Sequence, residues 1–245
     1  MMREFVGTDE LKGATIRDSD VSGATFRSVN LAGISITDAW LMDADISGDI
    51  TGMRLNGVLV APLVEAELDR LHPERTALRP TDLAGLVAAL RVVDEMWAPT
   101  IERARALPPS LLHERVDGEY SFVETQRHLL FATDSWLERM VLRVPMAYHE
   151  WAVPPDLPPD APPDQGPELD DVLAARAQRR ARLDTYLATA RDADLAEVVT
   201  PPDPTGHPQG HFTVLACFRV VLDEEWWHHQ YATRDLAILE ARHKG

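Results

Sequence analysis

The sequence predicts an α+β, multidomain chain: a short square coil of extended backbone at the N-terminus, followed by an antiparallel four-helix bundle. Three observations predict it. Large apolar residues recur every five positions between Leu11 and Ile46. After Pro80 they recur at helical spacing instead, in four segments separated by loops rich in proline and glycine. Apolar side chains make up 45% of the 245 residues, enough to build a packed core.

The repeat comes first. Leu11, Ile16, Val21, Phe26, Leu31, Ile36, Leu41 and Ile46 stand five apart, and a small or apolar partner precedes most of them by two positions, as Ala14, Ala24 and Ile34 do. After Ile46 the register slips by one and resumes at Ile50, Leu55 and Val60. A helix has a period of 3.6 and a strand a period of 2, so neither puts every fifth residue on one face. A chain that turns a corner every five residues does. Four corners close a square of about 20 residues, and successive squares stack at the strand spacing of about 4.8 Å. About two and a half coils fit, roughly 12 Å tall at that spacing. So short a stack leaves its ends open, and PLVEAELDRL is expected to cap it or dock it. The expected division is therefore a repeat over 1–63, a cap or linker over 64–81, and a bundle over 82–245.

The first bundle helix is predicted from Thr81 or Asp82, either of which can serve as N-cap, with Leu86, Val87, Leu90, Val93, Met96 and Trp97 on its apolar stripe. Pro99 is expected to kink or end it. Ser121 and Glu124 have the S-x-x-E spacing of a capping box and open the second helix, Ser121 to Leu142. The acidic, proline-dense VPPDLPPDAPPDQGPELDD cannot hold a helix or a central strand and is expected to be an extended surface connection. A densely charged third helix spans about Leu169 to Arg191. The loop TPPDPTGHPQG then precedes a long last helix, from His211 or Phe212 to about Arg242.

Charge removes several function classes. Forty acidic residues against 24 basic ones leave a formal charge of −16, which repels phosphate backbones and anionic lipid, so neither nucleic acid nor membrane is an expected partner. No apolar run is long enough to span a bilayer, and MMREFVGTDELKG lacks the form of a secretory signal, so a cytoplasmic location is expected. Cys217, the single cysteine, lies in VLACFRVVL and reads as a buried, inert thiol.

Most of the nine histidines fall in loops or near chain ends, where a solvated polar role is expected. His128, His228 and His229 lie within helices. In LDEEWWHHQYATRDL, Glu224 and His228 stand four residues apart, as do Glu225 and His229. An i, i+4 pair aims two ligand side chains at one spot, and a histidine from a facing helix completes a three-ligand metal site with an open position. His128, with small neighbours at Thr125 and Ala132, can supply it. An ordinary Glu–His surface pair is the plain alternative. Trp226 and Trp227 either wall the site or pack in the core. Asp235 either orients a ligand or pairs with Arg234.

Two resemblances follow. The five-residue repeat resembles the pentapeptide-repeat family, which implies a right-handed quadrilateral β-helix and an appendage for a protein partner or a second copy of the chain. GEYSFVETQRHLLFATDSWL, the proline-rich insertion and VVLDEEWWHHQYATRDLAILE, in that order over about residues 82–242, resemble the DinB-like superfamily. Within it they look most like the branch of mycothiol-dependent maleylpyruvate isomerase and related thiol transferases. The likeness implies a divalent metal, first zinc, with nickel, iron or manganese also suited to two nitrogens and one oxygen. It assigns His128, Glu224 and His228 as ligands, with Glu225 and His229 as the other register. A low-molecular-weight thiol and a small electrophile are the implied substrates, in a thiol transfer or isomerisation. A metal-dependent hydrolase using activated water, or a non-catalytic scaffold built on the repeat, are the competing readings.

Overall fold

A computed structural model of the chain describes residues 5–27, 29–145, 148–155 and 166–244. It divides into two compact units, Met1–Asp49 and Ile50–Gly245. Most of the proline-dense connection lies outside the described residues.

In the first unit the five-residue period is visible as turns. Backbone hydrogen bonds close Leu11–Ala14, Val21–Ala24, Leu31–Ile34 and Leu41–Ala44, at 3.0, 3.1, 3.0 and 3.3 Å. The third residue of each takes positive φ, and Gly13, Gly23 and Gly33 do so without a Cβ penalty. Asp18 and Asp38 make the intervening corners, also at positive φ. Among the described residues of 5–49, however, there is no strand and no buried side chain. The periodic residues are from 44% (Leu31) to 63% (Ile16) exposed. Turns recur at the expected period; among the described residues no β-helix ladder is formed. The expected repeat at Leu55 and Val60 is replaced outright. Asn56 and Gly57, both at positive φ, make a tight hairpin turn that pairs β1 (Arg54–Leu55) with β2 (Val58–Leu59). The Asn-Gly dipeptide carried that signal, and the five-residue register obscured it.

The second unit is mostly helical. The expected cap segment forms helix α1 (Ala61–Leu71) and a 3₁₀ turn (Pro73–Leu78). Arg75 in that turn is buried over the Trp226 ring, 4.7 Å from its centroid, and pairs with Glu65 and Asp69. Helix α2 (Leu83–Arg105) starts where Asp82 accepts from the Gly85 N–H at 2.7 Å, and it runs through Pro99 without ending. Its buried stripe is Leu86, Ala89, Leu90, Val93, Trp97, Thr100 and Ala104. Helix α3 (Phe122–Thr133) opens with the full Ser121–Glu124 capping box and continues as a π-helical turn over Asp134–Val141.

Helix α3 is buried all round, polar residues included, with Gln126, Leu129 and Leu130 fully so. Charged partners make this possible. Helix α4 (Leu169–Leu187) lays arginines against the acids of its neighbours: Arg179 donates to the fully buried Asp134 at 2.6 Å, Arg182 pairs with Glu138, and Arg180 reaches Asp94 at 2.8 Å. The fully buried carboxylates of Asp134 and Glu138 are thereby each matched by a guanidinium, as Arg115 matches the buried Glu124. After the short α5 (Asp192–Leu195), β3 (Val198–Val199) pairs with β4 (Phe212–Thr213) and closes the neck of the second Pro/Gly loop. Arg139, fully buried, fastens that loop by donating to the carbonyls of Asp203, Thr205 and Pro208. The last helix, α6 (Val214–Lys244), packs on both α2 and α3. Phe218, Leu222, Trp226, Leu236 and Leu239 are its buried ridge.

Candidate metal centre

Helices α3 and α6 bring His128, Glu224 and His228 together. His228 Nε2 lies 3.1 Å from Glu224 Oε2, the i, i+4 contact of one helix face. His128 Nε2 comes from the facing helix to 3.6 Å of the same oxygen. The two imidazole centroids are 4.7 Å apart. Among the described residues these three offer ligand atoms that all lie within 4.8 Å of one another. Atoms that bind one zinc ion at about 2.1 Å stand a little over 3 Å apart, so the spacing is close to what one ion requires.

The protonation pattern suits a cation too. His128 Nδ1 lies 3.0 Å from the Val153 carbonyl. A carbonyl can only accept, so Nδ1 donates to it, which leaves Nε2, on the Glu224 side, as the ring nitrogen that a cation would take in place of a proton. Burial pushes the Glu224 carboxyl up, but hydrogen bonds with His128 and His228 outweigh it and hold the pKa down at about 2. One anionic oxygen and two imidazole nitrogens therefore converge. That donor set fits zinc and several other divalent first-row ions.

The other register is used differently. Glu225 accepts from the Trp97 indole N–H at 2.7 Å and from Arg176 of α4 at 2.5 Å. His229 Nε2 lies 2.9 Å from the Thr100 hydroxyl, and its ring meets Trp97 edge-on at 5.0 Å. Both side chains face α2, Glu225 reaching α4 as well, and among the described residues no ligand from α3 is grouped with them. Trp226 is a core residue, 1% exposed, packed beneath Arg75 and edge-on to His72. Asp235 accepts from Arg234 at 2.7 Å, so it is the neighbour pair, not the ligand orienter. Cys217 is fully buried, and burial pushes its thiol up to about 11, well away from thiolate chemistry at neutral pH.

A family model of the DinB superfamily matches residues 92–232, more than half of the chain and all three of these side chains. The chain belongs to the DinB superfamily. Searches of curated proteins and of solved structures gave no match. No helix among the described residues of this DinB protein is long and apolar enough to cross a membrane.

Sequence reasoning missed the surroundings of the centre. Tyr120 lies 5.3 Å from the His128 ring, tilted to it, and 6.3 Å from the His228 ring, stacked on it. Phe131 stacks on His128 at 6.1 Å, and Tyr231 meets His228 edge-on at 6.0 Å. Val153 contributes through its backbone, which no side-chain motif can encode. Tyr120 and Phe131 flank the histidine within twelve residues of sequence, but nothing in their identity separates them from the chain's other aromatics.

Proposed function

We propose that this DinB protein is a divalent-metal enzyme that uses a low-molecular-weight thiol, of the mycothiol type, in a transfer or isomerisation on a small electrophile. The observation that carries the reading is the convergence of one depressed carboxylate and two imidazoles from facing helices, within the segment the family model matches. His128, Glu224 and His228 would hold the ion, with zinc the first choice and nickel, iron or manganese the others. Bound there, a divalent ion supplies the Lewis acidity that brings a coordinated thiol or water toward ionisation at neutral pH.

The protein's own residues set the conditions for that chemistry. Glu224 brings a single negative charge, so a divalent centre keeps a net positive one. The nearby Glu225 is turned away from it, because Arg176 and the Trp97 indole hold its carboxylate toward α4 and α2. Val153 fixes the His128 tautomer. Tyr120, Phe131 and Tyr231 surround the imidazoles with ring carbon, which thins the local water and strengthens every charge interaction there. As part of the same reading, the five-residue turns of 5–49 support a pentapeptide-repeat coil that serves as an interaction appendage to the catalytic unit.

Elemental analysis of the purified full-length chain tests the reading, with His228→Ala as control. About one divalent ion per chain, lost on substitution, is the expected result; no metal in either sample favours the scaffold. Turnover of reactive electrophiles with and without mycothiol then separates thiol chemistry from water chemistry. A rate indifferent to the thiol makes the enzyme a hydrolase.

A further inference from the structure

The stretch 148–155 runs along α3 and is fastened to it at several points. Arg127 Nε donates to the Trp151 carbonyl at 2.8 Å, and the Val153 N–H donates to the Arg127 carbonyl at 3.3 Å. The His149 N–H donates to the buried Asp134 carboxylate at 2.7 Å. The Tyr120 hydroxyl then shares its proton between the carbonyls of Pro154 and Pro155, at 3.1 and 3.0 Å. The carbonyl between these fastenings is that of Val153, the acceptor for His128 Nδ1. The phenol ring that anchors this strap also lies beside both histidines, tilted at 31° to His128 and stacked at 27° on His228.

One residue thus controls two things that a metal-binding histidine needs. Its hydroxyl keeps the strap carbonyl in place, which fixes the imidazole tautomer, and its ring limits how far either imidazole can rotate. The geometry points to Tyr120 as the positioning residue of the centre. It acts through His128 and His228. Removing its hydroxyl releases the strap at Pro154 and Pro155, next to Val153, and lets His128 sample ring orientations that no longer direct Nε2 at Glu224. Losses of 10- to 100-fold in metal affinity are typical when such an outer partner is removed.

This inference rests on the metal-binding reading, and the experiment separates the two. The full-length chain, Tyr120→Phe, Tyr120→Leu and Arg127→Lys are each titrated with Co(II), followed by visible absorption, with helical circular dichroism of the metal-free proteins alongside. Wild type should bind one Co(II). Tyr120→Phe should bind it about tenfold more weakly, with shifted ligand-field bands and an unchanged helical spectrum. Tyr120→Leu, which also loses the ring, should be weaker still. Arg127→Lys loosens the strap at Trp151 without touching an aromatic ring and should show a smaller loss of the same kind. Co(II) affinity and bands in Tyr120→Phe and Arg127→Lys matching wild type overturn the positioning role while leaving the metal reading intact. A loss of affinity seen only with loss of helix also overturns it, as plain unfolding. A wild-type chain that takes up no Co(II) overturns the metal reading itself.

Discussion

Two Glu–His pairs sit one residue apart on the last helix, identical in composition and spacing, and they have opposite fates. Glu224 and His228 meet His128 from α3 and leave ligand atoms facing one another. Glu225 and His229, about 100° further round the helix, meet Trp97, Thr100 and Arg176, and their polar atoms go into holding α6 against α2 and α4. What separates a candidate metal centre from a structural brace is the neighbour across the interface. A histidine that can offer a bare nitrogen makes a ligand site. An indole N–H and a guanidinium, which can only donate, neutralise the carboxylate and close it.

The sharpest way to break this contrast is to remove the two glutamates separately. Glu224→Ala should abolish stoichiometric metal, lowering affinity at least 100-fold in competition with a chelator, because only two imidazoles remain. Glu225→Ala should keep its metal and lose stability instead, by about 3 kcal/mol in denaturant unfolding, because it strips the mostly buried Arg176 of its carboxylate and leaves it only Gln126. If Glu225→Ala loses metal while Glu224→Ala retains it, the assignment of the two registers is inverted.

A smaller effect is expected at Thr100→Val. It should cost about 1 kcal/mol, the worth of an ordinary hydrogen bond to His229, with metal content unchanged. Acid sharpens the contrast from the other side. In metal-free protein the depressed Glu224 carboxyl contributes stability that is fully present above its ordinary pKa of 4.5 and lost as pH falls toward about 2. Thermal midpoints of wild type and Glu224→Gln, measured without metal, should therefore differ at neutral pH and converge over that window. The smallest expected effect is none: deletion of residues 1–49 should leave the metal stoichiometry of the remaining chain unchanged.

A second contrast explains why the two halves of the sequence were legible to different depths. In 5–49 the period of five specified corners, and corners are local: a glycine or aspartate at positive φ and a four-residue hydrogen bond form them without help from elsewhere. Stacking of coils is not local. It needs burial that this unit does not provide, since even Leu31 remains 44% exposed. In the helical unit the local and global signals agree. Apolar stripes at helical spacing coincide with surfaces that are buried, so α2, α3, α4 and α6 fell close to where the pattern put them.

By itself, the sequence determined a cap at Thr81 or Asp82 and another at Ser121, the helical segments, the buried cysteine and the two i, i+4 Glu–His pairs of the last helix. All of these follow from short-range chemistry or from the 3.6-residue period. Tertiary structure alone decided which register of α6 faces α3, because that depends on how the whole helix is rotated by burial of Phe218, Leu222 and Trp226. It also decided that the Val153 carbonyl holds the His128 proton and that Tyr120 backs both rings. A backbone carbonyl looks the same at every position of a sequence, and only folding brings a particular one to a particular nitrogen.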